Sequence, residues 1–229
     1  MLRYTLRLMV VAAAVSCGNA ESPEASAPDK PQTQSENKSS SDSASRVEHE
    51  KMVQILRLNE TESAALMSAF DEGDAAIQKW QSLHGAELRN LEAQMKDAAA
   101  SRNLAGVREA TSKAGPLRQE LVQLAKTSQE KILNSLPPEK RVEWDAHLLA
   151  EKLFDLMQPL ALTPEQRAAI ANRAVSAART VARSGRPGDT MAGAFLKLER
   201  DIEQSILTPQ QRPAYDLIKK KNPLRSLSL

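Results

Sequence analysis

What this 229-residue chain lacks narrows it quickly. Aromatic residues make up only 3% of it, with two Trp, two Tyr and three Phe. A wide core of large side chains is therefore excluded. There is a single cysteine, Cys17, so no intramolecular disulfide can brace the fold. No run of alternating Val, Ile, Thr and aromatics is long enough to argue for a sheet, and no apolar run reaches the ~20 residues that span a bilayer. A strong charge of one sign is missing too. The formal net charge is +2, and Arg3 and Arg7 account for that excess. The electrostatic footprint of a nucleic-acid binder is absent, and no nucleic-acid partner is expected.

Enzymatic signatures are also missing: there is no GxGxxG, P-loop, HExxH or nucleophile elbow. The expectation is a non-enzyme with no catalytic residues, no cofactor and no metal. His49, flanked by Glu48 and Glu50, and His147, four residues before Glu151, are the nearest approaches to a cation site. A structural metal site needs about four convergent ligands.

What is present is an ordered series of segments. Residues 1–17 read as a signal peptide: Arg3 and Arg7 are followed by the apolar run Leu8 to Val15, which is too short to span a membrane. It ends in Ala14-Val15-Ser16-Cys17, which resembles a bacterial lipobox. Cys17 is thus the candidate lipidation site, and several acyl chains would anchor the mature chain at ~0.8 kcal/mol per buried CH₂. Cleavage after Ala20 would instead release a soluble periplasmic protein. By analogy with lipoprotein sorting, Gly18 after the cysteine favours the outer membrane. Residues 18–46 are Ser, Pro, Glu, Gln, Asn and Lys with little apolar content. Such a stretch cannot bury enough surface to offset its ordering entropy, so a disordered tether is expected.

From Val47 on, Ala, Leu, Gln, Glu, Lys and Arg dominate, and helices are expected. Asn59, with Glu62 three residues on, is placed to form a capping box. Leu66, Phe70, Gly73, Ile77, Trp80, His84, Leu88, Leu91, Met95 and Ala98 are spaced by three and four. That is the seam of a helix packed along a partner. Ser101-Arg102-Asn103 supplies a turn, and Val107, Ala110, Ala114, Leu117, Leu121 and Leu124 supply the returning seam. Together they predict an antiparallel helical hairpin, with a kink at Pro116.

One pentapeptide recurs. Leu162-Thr163-Pro164-Glu165-Gln166 and Leu207-Thr208-Pro209-Gln210-Gln211 each put Thr at a helix cap, Pro at the first helical position and Gln where it can reach back to the cap. Degraded copies stand at Leu136 and Leu58. In each half one copy opens a hairpin and another follows it, with Ser184 to Gly188 as the second turn. The order suggests a tandem duplication of one helical unit. The expected architecture is all-α, with tandem hairpins over 47–158 and 159–229 behind the tether.

Exported helical chains carrying Leu-Thr-x-x-Gln resemble the Spy/CpxP-like family of periplasmic stress proteins. The matching positions are Leu162, Thr163, Gln166 and Leu207, Thr208, Gln211. The resemblance implies hairpin-based helical folds, dimeric cradles and ATP-independent holding of unfolded envelope proteins. For a duplicated chain it leaves a homodimer and an internal pseudo-dimer both open. A structural adaptor docking on one fixed envelope partner, and a metal-responsive stress modulator, are the alternative readings. Arg167, Arg173, Arg179 and Arg183, in a stretch without acidic residues, are the candidate client contacts.

Overall fold

Ala, Leu and the long unbranched polar residues lose little side-chain freedom in a helix, and the chain is built accordingly. The computed structural model describes the backbone of residues 38–184 and 190–222, with side chains from residue 44 on. Cys17, the leader, most of the expected tether and the turn after Ser184 lie outside those residues. Within them the architecture is all-α: α1 (Lys38–Leu56), α2 (Glu60–Ala100), α3 (Leu104–Asn134), α4 (Pro138–Met157), a 3₁₀ turn (Gln158–Leu160), α5 (Pro164–Ser184), α6 (Met191–Ser205) and α7 (Arg212–Lys221). No strand occurs among the described residues, and no helix among them is long and apolar enough to cross a membrane.

The chain divides into two compact units. One takes the described residues through Val53 together with Leu58–Ser135; the other takes Leu136 onward together with Gln54–Arg57. The boundary therefore precedes α4 and does not fall at residue 158. The physical reason is that α4 carries its own apolar face. Ala146, Leu149, Leu153 and Met157 pack with Ile170, Ala174, Phe195, Leu198, Ile202 and Tyr215 of α5, α6 and α7 in one core.

The hairpin unit follows the sequence closely. At the start of α2, Asn59 Oδ1 accepts from the Glu62 amide at 2.9 Å, while Glu62 Oε2 accepts from the Asn59 amide at 3.0 Å. The capping box is complete, and it satisfies two of the amides that a helix start leaves unpaired. Asn103 caps α3 by accepting from the Gly106 amide at 3.0 Å. Leu66, Phe70, Gly73, Trp80, Leu91 and Ala98 of α2 are buried, as are Ala110, Ala114, Ala125, Ser128 and Ile132 of α3. The remaining seam residues, including Ile77, Leu88 and Leu121, are half-buried. Helix α3 runs through Pro116 unbroken.

Helix α1 begins at Lys38, so the tether expected through residue 46 gives way to helix earlier. Within it Ser45 Oγ donates to Asp74 Oδ1 at 3.0 Å. Further along, the His49 ring meets Phe70 edge-on at 6.2 Å, and Met52 is fully buried.

Two glycines of α2 separate packing from propensity. A Cβ on Gly73 would lie 3.2 Å from Ser128 Cβ of α3. A Cβ on Gly85 would meet the Arg89 guanidinium at 3.4 Å, the movable end of a long side chain, and Gln81 Cβ at an ordinary 3.8 Å. Gly73→Val should therefore cost about 2 kcal/mol by overpacking. Gly85→Ala should gain about 1 kcal/mol from helix propensity. Urea midpoints followed by Trp80 fluorescence should shift in opposite directions; shifts of the same sign would refute this account of the seam.

Candidate functional site

The two intact motifs come together inside the four-helix unit. Thr163 precedes α5, and its hydroxyl accepts from the Gln166 amide at 3.2 Å, while Gln166 Oε1 accepts from the Thr163 amide at 3.0 Å. Thr208 and Gln211 repeat this pair at 3.3 and 3.0 Å. The two boxes then grip each other. Gln166 Nε2 donates to Gln211 Oε1 at 2.8 Å and to the Ile206 carbonyl at 3.0 Å. Gln211 Nε2 donates to Gln166 Oε1 at 3.3 Å and to the Leu160 carbonyl at 3.1 Å. Each side-chain amide thus uses both its donor hydrogens and its acceptor oxygen. Leu162 and Leu207 are buried in the core beneath.

This clasp needs glutamine. Two carbonyls can only accept, so the side chains facing them must donate, while the cap amides need an acceptor from the same groups. A carboxylate supplies no donor. Glu62, the counterpart at the Asn59 motif, makes the cap bond of its own helix. The left-handed Ala161, at φ 47° and ψ 56°, turns the chain just after Leu160, whose carbonyl Gln211 holds.

One expectation for the motif is corrected. Helix α7 does not open at Pro209; its first helical residue is Arg212. Gln211 and Arg212 both donate to the Thr208 carbonyl, at 3.0 and 3.2 Å, but Pro213 has no N–H to bond back to the Pro209 carbonyl, so this single turn is not continued and regular helix starts only at Arg212. Helix α5 does open at Pro164, as its motif predicts.

The candidate arginines separate into two pairs. Arg173 forms an ion pair with Asp201 and donates to Ser205 Oγ at 2.8 Å. The Arg167 guanidinium lies over the Phe154 ring at 5.2 Å. Both are thus occupied within the fold, which sequence spacing did not reveal because their partners are on other helices. Arg179 and Arg183 are exposed. The Arg173 hydrogen bond holds the Asp201 carboxyl below its usual range against the opposing effect of burial, with the Arg173 charge and Ser205 assisting. His147 lies 4.0 Å from Glu151, and His49 Nε2 lies 3.1 Å from the Ser63 carbonyl. No group of three His, Cys, Asp or Glu able to hold a metal occurs among the described residues.

Sequence reasoning passed over a buried acid. Glu199 is only 3% exposed, and its Oε1 accepts from the Tyr215 hydroxyl at 2.6 Å. The signal was present: Phe195, Leu198, Glu199 and Ile202 share one face of α6, so Glu199 occupies a core position. Nearby, Lys219 bridges Glu203 at 2.7 Å and Asp216 at 2.9 Å. Desolvation would lower the Lys219 pKa, but these two carboxylates outweigh it and raise the value. Elsewhere, burial raises the carboxyl pKa of Asp145 on α4, against the pull of Arg141.

No family model matches the chain, and it matches no curated protein and no solved structure.

The clasp predicts a coupling. Gln166→Ala and Gln211→Ala should each cost about 1–2 kcal/mol, and the double variant less than their sum by about 1 kcal/mol. Trp144 fluorescence in a Trp80→Phe background should report the transition; strict additivity would show that the bonds between the motifs contribute nothing. A second expectation concerns acid. The Asp201 carboxyl is depressed in the folded state, so its contribution is present above the unfolded pKa and is lost as pH falls through the folded value. The Arg173→Gln variant should flatten that loss. An unchanged acid limb of stability would contradict the pairing.

Proposed function

We propose that this chain is a non-enzymatic envelope protein that holds unfolded or stress-exposed envelope proteins without ATP, tethered through acylated Cys17 on the periplasmic side of the outer membrane. The observation that carries this reading is the reciprocal Gln166–Gln211 clasp. It gives the resemblance to Leu-Thr-x-x-Gln stress proteins a physical content, because the motif closes a helical unit and performs no chemistry of its own.

The surfaces available to a client support the same reading. Leu83 and Leu104 of the hairpin unit are 66% and 71% exposed. In the four-helix unit Arg179 and Arg183, one helical turn apart on α5, are exposed as well. Single exposed apolar side chains suit weak, unselective contact with an unfolded chain better than one tight interface. Of the four arginines, Arg179 and Arg183 are the pair we assign to clients, since Arg167 and Arg173 have intramolecular roles.

The purified chain from residue 18 onward should slow aggregation of several chemically denatured proteins at near-stoichiometric ratios, with no nucleotide added. Leu83→Ser with Leu104→Ser, or Arg179→Glu with Arg183→Glu, should weaken that effect without lowering the urea midpoint. Absence of suppression across all clients, with one dominant partner crosslinked from intact membranes, would favour the fixed-partner adaptor instead.

A further inference from the structure

The two intact motifs stand 45 residues apart, and that interval runs through the whole four-helix unit. Leu153 and Leu198, Met157 and Ile202, and Ile170 and Tyr215 are buried in pairs at the same spacing. The glutamine clasp is reciprocal, so exchanging one motif for the other exchanges α4 with α6 and α5 with α7. The unit is an internal pseudo-two-fold, and a groove between α4 and α7 has a sister between α6 and α5. Leu156, Ile218 and Lys221 line the first groove. Their counterparts at that interval, Asp201, Arg173 and Ser176, line the second.

The sister groove is a control within one chain. At the shared positions it is polar: Arg173 pairs with Asp201, and Asn172 is exposed. The α4/α7 groove has Ile218, Leu156 and Leu217 at these places instead, and Leu217 is 59% exposed. The fold accepts polar side chains there, so packing does not require apolar ones. Apolar side chains that the fold does not need, gathered along an open groove, mark a surface for contact.

We propose that the α4/α7 groove seats a short unfolded segment that carries apolar residues beside acidic ones. Size decides against a folded partner. The groove holds about 640 Å³, within the ~300–1,000 Å³ of sites for small ligands, whereas a stable interface between folded proteins takes ~20–30 residues a side. Charge decides the flank. Of the three lysines closing α7, Lys219 is held by Glu203 and Asp216, while Lys220 and Lys221 are exposed. Lys152 and Asp155 also line the walls and offset each other in charge, which leaves Lys221 as the excess. The sister groove has uncharged Ser176 in its place. The segment's apolar side chains lie on Leu217 and Ile218, with an acid at Lys221.

The proposal rests on the client-holding reading only in taking the segment to be a client's. Peptide binding is measured directly, so either can fail alone. Fluorescence anisotropy of a short labelled peptide alternating leucine with glutamate, titrated with the full chain, should show saturable binding. Its leucine–lysine counterpart should bind about tenfold more weakly. The variants come from the sister groove. Leu156→Asp with Ile218→Arg installs the pair that α5 and α6 already carry, and should weaken binding by about tenfold or more. Leu217→Asn should weaken it about fivefold, and Lys221→Ser should remove the preference for the acidic peptide. These last two positions are exposed, so their urea midpoints, followed by Trp144 fluorescence in the Trp80→Phe background, should not move. They carry the test even if the double variant unfolds. Binding of neither peptide, equal binding of both, or an affinity unmoved by Leu217→Asn would overturn the proposal. So would a concentration-dependent self-association that Leu217→Asn abolishes, which would place a second copy in the groove.

Discussion

The constraint that governs this molecule is the scarcity of large apolar side chains. With so few rings available, helices must approach closely and bury many small contacts along their length, because dispersion acts only between atoms that touch. In the hairpin unit this gives a narrow seam of Leu and Ala. Gly73 and Ser128 mark one close passage in it, and α2, at 41 residues, supplies length in place of width. In the four-helix unit the few large residues stand at the centre, where Trp144, Phe195 and Tyr215 are fully buried.

Thin cores make helix ends matter. A wide globular interior can absorb one loosely held terminus, but a bundle of rods cannot, since each end fixes where its seam begins. The chain answers with polar side chains at the starts: Asn59, Asn103, Thr163 and Thr190 accept from backbone amides there, and Thr208 does so in the turn that leads into α7. Two of these starts are then joined by Gln166 and Gln211, so that capping, which is ordinarily local, becomes a long-range contact. A device that organises a unit in this way leaves its outer faces free to vary.

Much of the fold was legible in the sequence. Three-and-four spacing marked both arms of the hairpin. The Asn59–Glu62 box and the Asn103 cap stand where residue type and spacing put them. Local chemistry sufficed there, because cap and partner are three residues apart. What depended on distant partners was not legible. The four arginines of α5 looked alike in sequence, but Asp201 and Phe154 lie on other helices and occupy two of them. The recurrence of the motif was visible; that its copies face each other was not, since spacing within one copy carries no information about the other. Helix α4 was assigned to the hairpin by its order in the chain. Its apolar face assigns it instead to the core of α5, α6 and α7. The start of α7 was misplaced for a local reason: a second proline, Pro213, undoes what Pro209 would have begun.

The lock between the motifs is made of uncharged amides. Surface ion pairs such as Arg118 with Glu92 fade as counterions accumulate around them. The glutamine pair has no charge to screen and no titrating proton. It will hold its two helix starts in brine or vinegar as it does in dilute buffer, for as long as the surrounding core stays folded.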